Sequence, residues 1–375
     1  MRALTIDDSL FDDLASRSAE DLISIFIPTH PAGREISQDP IRLKNQLAAA
    51  GDELAGRGHR PRDRAERLER ANDLLGDRDF WEHQGSGLAV YIDADGEVVP
   101  IGLSHNVPEL AFVMQVFEMR PLIADLSSED HQVLVLTRGG VRLYRFGLEA
   151  AIAVDIDLPD SFDDVNWFVD REPQPQQHPD RAGVARSGHG HDSSTPEAED
   201  TSRFLRAVAL ALPPEMRSDP LVVLGDDDVV ERFAQVYEGE IVSPPHSGVT
   251  DPNSPQLVAD IAAAAVAQIE ASAREELRSD LLDEIGVGRA TTNLEQALPD
   301  AVAGRVGRVA VRHWAGPVWG RFDEFSFDVR KTGEPGPGDV DLLDRLVVEA
   351  RKTGADLFPL DDDIEGSPFV AAYRF

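Results

Sequence analysis

Short apolar runs alternate with amphipathic stretches and Pro/Gly-rich breaks along this chain, which predicts a mixed α/β protein. Residues 22–27, LISIFI, form a buried strand ended by Pro28. A helix follows Asp39-Pro40, read as a cap and a first-turn proline, and a second, charged helix carries Leu68, Leu74 and Leu75 near 61–76. Leu88–Ile92 and Val98–Ile101 read as hairpin partners across the Asp95-Gly96 turn, and 110–119 as a further strand. In HQVLVLTRGGVRLYRFG two β-branched and aromatic runs meet at Gly139-Gly140, a strong hairpin signal, with Ala151–Ile156 as a third strand.

Residues 171–198 contain almost no large apolar side chains and predict a mobile loop. It leads into a helix from about 196 to 212, with Thr195 as cap, Pro196 at the first position and Glu197, Glu199 and Asp200 at the positive end of the dipole. Phe204, Val208 and Leu212 build its apolar stripe. LVVL at 221–224 is a buried strand, Asp226 caps the next helix, and Glu240–Val242 is a short strand. After the linker 244–255 comes a long helix, about 256–282, with Leu257, Ile261, Ala265 and Ile269 inward. The stretch LEQALPDAVAG reads as helix and 305–312 as strand. A helix over 339–353 buries Leu342, Leu343, Leu346 and Val347, and FVAAYRF is a closing strand. We expect three mixed α/β domains, 1–122, 123–245 and 246–375.

Composition narrows the setting. The 375 residues carry a formal net charge of -33, with Lys44, Lys331 and Lys352 as the only lysines. Such a surface stays soluble in strong salt, where the Debye length falls to about 3 Å at 1 M, so a salt-tolerant, halophilic source is expected, the alternative being a merely acidic protein from a high-GC genome. There are no cysteines, hence no disulfide and no thiolate metal site. An acidic start and the lack of a long apolar run predict a cytoplasmic protein with no membrane association. The acidity argues against tight nonspecific phosphate binding, so contact with nucleic acid needs a local arginine patch. Arg34, Arg42 and Lys44 read as the basic region of the N-terminal part: a solvated helix start, or a contact surface for RNA or protein.

Candidate chemistry centres on Gly188-His189-Gly190-His191. A glycine-rich loop can offer backbone N–H groups to an oxyanion, and an imidazole can serve as a base near neutrality. Two other readings stand beside catalysis: a polar loop with incidental histidines, and a loop that docks in RNA with Arg181 and Arg186 on phosphate. His178, His189, His191 and Asp192 are zinc-compatible types, but no His-x-x-x-His spacing fixes two on one helical face, so no metal site is expected. His30, His83 and His105 read as turn or capping residues. Trp314 and Trp319 read as packing residues, or as platforms for bases. The acids Asp226–Asp228 are explained by a helix start. No phosphate-loop or dinucleotide fingerprint is present, and no cofactor is expected.

Three separated stretches carry a family resemblance. SIFIPTHPAGREISQDPIRLKNQL resembles the N-terminal signature of the bacterial relatives of the archaeo-eukaryotic class-one peptide chain release factor. DRAGVARSGHGHD with DTSRFLRAVALAL resembles that family's central loop and helix. GRATTNLEQALPDAVAGRVGRVAV, with WGRFD and FVAAYRF, resembles its C-terminal domain. The resemblance implies an N-terminal α/β domain, a ribonuclease-H-like middle domain, and a C-terminal domain like the kink-turn-RNA-binding ribosomal proteins. It also implies a role in translation termination, ribosome rescue or quality control, with the ribosome and peptidyl-tRNA as partners. In the release factors a Gly-Gly-Gln loop assists hydrolysis of peptidyl-tRNA. The loop matching by position here, Gly188–His191, keeps glycines and lacks glutamine; Gln174, Gln176 and Gln177 lie upstream. The alternative is a noncatalytic stress or protein-interaction module that retains the fold.

Overall fold

The computed structural model describes residues 2–30, 33–126, 130–137, 140–147, 150–159 and 196–375, except 246, 248, 250, 324 and 337. Its contacts define two compact units: Met1–Ser128 together with Ala273–Phe375, and Glu129–Ser272.

The first unit begins with helix α1 (Asp8–Ser16), capped by the Asp7 side chain accepting from the Leu10 N–H at 2.7 Å. Strands β1 (Ser18–Pro28), β2 (Gly87–Ile92), β3 (Val98–Leu103) and β4 (Leu110–Val116) form an antiparallel sheet in the order β3-β2-β1-β4. The LISIFI run is continuously apolar because β1 is central and covered on both faces. Ile23, Ile25 and Ile27 pack with Leu43, Leu47 and Leu54 of α2 (Asp39–Gly56) and Leu68 of α3 (Pro61–Asp73). Leu22 and Phe26 face a second core, which is shared with residues near the other end of the chain. The Asp39-Pro40 expectation needs correction. Gln38 occupies the cap position after a 3-10 turn over 34–38, and the Asp39 carboxylate points elsewhere.

In the second unit, β5 (His131–Thr137), β6 (Gly140–Gly147) and β7 (Ala150–Val154) form the expected antiparallel meander, with Thr137 opposite Gly140. After α4 (Pro196–Ala211), β8 (Leu221–Gly225) pairs parallel to β5. After α5 (Asp227–Ala234), β9 (Ile241–Val242) pairs parallel to β8. The sheet order is β7-β6-β5-β8-β9. Alternation within β5 and β8 sends Leu134, Leu136, Leu221 and Val223 toward Phe204 and Val208 of α4, Leu212 just past its end, and Phe233 of α5. Val133, Val135, Val222 and Leu224 face Val258, Ala262 and Ala265 of α6 (Pro255–Gly286). The result is a five-stranded mixed sheet with helices on both faces, a mixed α/β unit. Helix α6 runs past the expected end at 282, and its later residues Leu277, Leu281 and Ile285 pack within the first unit.

The remainder of the first unit has β10 (Ala290–Thr291), α7 (Leu294–Val302), β11 (Val306–Arg312), β12 (Trp319–Phe322), β13 (Val329–Lys331), β14 (Val340–Asp341), α8 (Leu342–Lys352), β15 (Asp356–Leu360) and β16 (Phe369–Tyr373). One sheet runs β10-β16-β11-β15, with β11 and β15 parallel; a small second sheet runs β13-β12-β14. Residues of α7 and α8 join Phe11, Leu14, Phe26 and Tyr91 in one core. Trp314 packs edge-on against Phe26, with ring centroids 5.4 Å apart, as a packing tryptophan should. Among the described residues, no helix is long and apolar enough to cross a membrane.

Candidate functional site

The turn between α2 and α3 gathers positive charge on an otherwise acidic chain. Between positions 57 and 70 the sequence holds Arg57, Arg60, Arg62, Arg64, Arg67 and Arg70 against Asp63, Glu66 and Glu69. Local chemistry explains the turn. Helix α2 ends in a Schellman motif, the Gly58 N–H donating to Ala55 O and the His59 N–H to Leu54 O, both at 3.0 Å. Gly58 has φ +94°, which glycine adopts without a Cβ penalty. Pro61 then opens α3 at a position where its missing N–H is harmless.

Three of the six arginines are committed to holding this geometry. Asp21, at a register shift of β1 against β4 and with φ +63°, lies beneath the turn. Its carboxylate accepts from Arg57 Nη1 at 2.8 Å and meets His59 Nε2 at 2.6 Å, while its carbonyl accepts from Arg67 Nη2 at 2.5 Å. Arg57 also donates to Val113 O, and Arg64 to Gly51 O. Burial opposes ionisation of Asp21, but the His59 and Arg57 contacts more than offset it, so its carboxyl lies below its ordinary value. Burial likewise lowers the Arg67 guanidinium, against the pull of nearby aspartates.

The other three, Arg60, Arg62 and Arg70, are exposed and make no ion pair among the described residues. With their neighbours anchored, they form an arginine surface able to meet phosphates. The signal was present as six arginines in fourteen positions; charge counting over a window of that length finds it, whereas attention to 34–44 misses it.

The structure treats the expected basic residues differently. Arg42 is tied down, donating to Pro28 O at 3.2 Å and lying 3.4 Å from Glu109, so it is not a free phosphate ligand. Lys44 is exposed on α2 and makes no ion pair among the described residues. Arg34 starts the 3-10 turn, and its side chain lies outside the described residues. Gly188, His189, Gly190, His191, Arg181 and Arg186 also lie outside them, as do His178, Asp192 and Thr195. His30 is a local clasp: Asp39, wholly buried, accepts the His30 backbone N–H at 3.0 Å and meets Nδ1 at 2.9 Å. Asp226 stands at the α5 cap position as expected, though its side chain makes no capping bond. No group of three or more potential metal ligands converges among the described residues.

Residues 130–305 match the sequence model of the Bacterial archaeo-eukaryotic release factor family 3, so over those residues the chain is release-factor-like. No curated protein matches the chain significantly. Among solved structures, the archaeal translation termination factor aRF1 aligns at 13% identity over 99% of each chain, with a TM-score of 0.23. Archaeal Pelota, from a model of it ribosome-bound with ABCE1, aligns at 12% identity over 77% of this chain and 78% of its own, TM-score 0.39. Dom34 of S. cerevisiae, a translation termination-like factor that interacts with Hbs1, aligns at 9% identity over 77% and 79%, TM-score 0.33.

Proposed function

Taking residues 130–305 as release-factor-like, we propose that this protein is a cytoplasmic, ribosome-associated factor acting in termination, rescue or quality control of stalled translation. The family match is the observation that carries the reading. The arginine-rich α2–α3 turn adds a physical means: on a chain of net charge -33, exposed guanidinium groups with no ion pair among the described residues offer a local approach to a polyanion. In this reading Arg60, Arg62 and Arg70, joined by Lys44, engage RNA phosphates. The parts 1–122, 123–245 and 246–375 are its functional segments, and Gly188–His191, with Arg181 and Arg186, approaches the peptidyl-tRNA.

Co-sedimentation with 70S ribosomes in high-potassium buffer tests association, and absence of the protein from the ribosomal pellet overturns it. Release of labelled peptide from stalled complexes tests chemistry. If His189→Ala and Gly190→Pro both leave release unchanged, the loop has no part in it. Binding without any release makes the protein a noncatalytic ribosome-binding module.

A further inference from the structure

His105, just past β3, and His313, just past β11, bring their rings together inside the first unit, with centroids 5.0 Å apart and planes at 81°. His105 Nδ1 also lies 3.0 Å from Oδ2 of Asp125, whose side chain is 1% exposed on the helical turn Ile123–Leu126. Asp125 is itself fixed, its Oδ1 accepting the Ser104 N–H at 2.7 Å. Both ring nitrogens of His105, Nδ1 of His313, Nε1 of Trp314 and Oδ2 of Asp125 are sealed from solvent, and none has a hydrogen-bond partner among the described residues. The His105–Asp125 approach is therefore a charge contact rather than an aligned hydrogen bond. Buried polar groups are normally paired, so the closed cluster carries a cost that a small displacement into water relieves. Trp314, the next residue, rests edge-on against Phe26, which connects the cluster to β1.

The charges around the pair accommodate one proton. On His105 it has the Asp125 carboxylate as counter-ion; a second, on His313, faces His105 across the ring contact. Burial and then His105 push the His313 imidazole down to about 4, with Arg312 adding to the effect and Asp361 and Asp125 opposing it. Arg312 and Asp361 are themselves engaged, Arg312 Nη1 with Asp363 at 2.9 Å and Asp361 with Arg274 at 3.1 Å. We propose that the His105–His313 pair is an acid-released latch, which holds the stretch 312–315 against 104–109 and Asp125 while at most one of the two imidazoles is protonated. An imidazole freed into water takes its proton near about 6.5. The open form therefore binds the second proton more readily than the closed one. Closure is fully favoured above that value and is lost as pH falls toward about 4. The second proton drives the rings apart and loosens Trp314 from Phe26.

The test is amide hydrogen exchange of the full-length protein, read by mass spectrometry between pH 7 and pH 4.5 and corrected for the intrinsic pH dependence of exchange. Peptides covering 104–109 and 312–318 are compared with peptides from β1 and β5. In the wild type the open fraction of the two loops is expected to rise by up to about tenfold for each pH unit below about 6.5, while the backbones of β1 and β5 stay protected. His313→Phe keeps an aromatic edge against His105 and cannot titrate, so its loops are expected to hold the same protection across the range. His313→Gln, which carries no ring, is expected to loosen the loops at every pH but equally without a pH dependence. Wild-type loops as protected at pH 4.5 as at pH 7 overturn the latch, and so do variants that open with acid as steeply as the wild type. Acid opening of the whole unit, β1 included, overturns it too, because the exchange then reports global unfolding. The result does not depend on ribosome binding.

Discussion

Arg120 and Asp341 form an ion pair sealed inside the first unit, with side-chain exposures of 3% and 0%. The guanidinium also donates from Nε to Glu118 at 2.8 Å, and Asp344 Oδ1 accepts the backbone N–H groups of Met119 at 2.7 Å and Arg120 at 2.9 Å. Asp341 in turn accepts from the Val318 and Leu343 N–H groups, both at 3.0 Å. One cation thus stands among three buried carboxyl groups and joins segments more than two hundred positions apart.

Removing that cation is expected to be severe. Arg120→Leu leaves buried carboxylates uncompensated and should lower stability by about 3–5 kcal/mol in urea unfolding. A loss under about 1 kcal/mol would mean that the ion pair is energetically idle.

The same cluster predicts a pH dependence. Burial, reinforced by neighbouring acids and only partly offset by Arg120, pushes Asp344 up to about 7 and Glu118 well above its ordinary value. An unfolded aspartate ionises near 3.9, so between about 4 and 7 the unfolded chain holds fewer protons than the native one. Stability from this group is present below the unfolded value and lost as pH rises through about 7. Asp344→Asn keeps an acceptor and cannot ionise. Relative to wild type it should therefore gain stability with rising pH, by up to about 1.4 kcal/mol per unit in that window. Urea unfolding at pH 4.5, 6 and 8 measures this, and a constant difference contradicts it.

Asp21→Ala should loosen the arginine turn. It strips an acceptor from Arg57 and His59 and places alanine at a positive φ, for a loss of about 2–3 kcal/mol. Because the folded carboxyl lies below its ordinary value, its contribution is present above the unfolded value and lost as pH falls through the folded one. The penalty for Asp21→Ala should therefore shrink in acid, as urea midpoints at pH 7 and pH 3 will report. Gly58→Ala has open space around it and should lose only about 1 kcal/mol, from backbone conformation alone.

Charge reversal at Arg60 and Arg62 should abolish most ribosome binding at low salt without altering the melting temperature, since both side chains are exposed and make no ion pair among the described residues. The wild-type dependence of log affinity on log salt should flatten in the variant by about one unit per lost phosphate contact. An unchanged slope would place the contact elsewhere.

What the sequence made legible was local. LISIFI was readable as a buried strand because both faces of β1 are covered, and the Phe204, Val208 and Leu212 stripe because α4 lies on a sheet. The β5–β6 hairpin carried its turn signal in two glycines. What stayed hidden was non-local. Nothing near Phe26 foretells Trp314, and nothing near Met119 foretells Asp344. Asp39 looked like a cap because its type and the following proline fit one, but a histidine nine positions earlier captured the carboxylate. The β12–β13 hairpin escaped notice because its strands are only three or four residues long. The arginine turn was legible in composition yet divided between structural and exposed roles only by the three-dimensional positions of Asp21, which holds Arg57 and Arg67, and of the Gly51 carbonyl, which holds Arg64.

The core that holds Phe11, Phe26 and Tyr91 also needs Leu298, Leu346 and Phe369. A nascent chain emerging from its own ribosome therefore cannot close that core until the intervening stretch has been synthesised, on the order of ten seconds or more at roughly 5–20 residues per second. The inserted unit can mature first, while the early strands wait with one apolar face uncovered. Truncations that remove the late residues should leave an aggregation-prone fragment rather than a smaller stable protein.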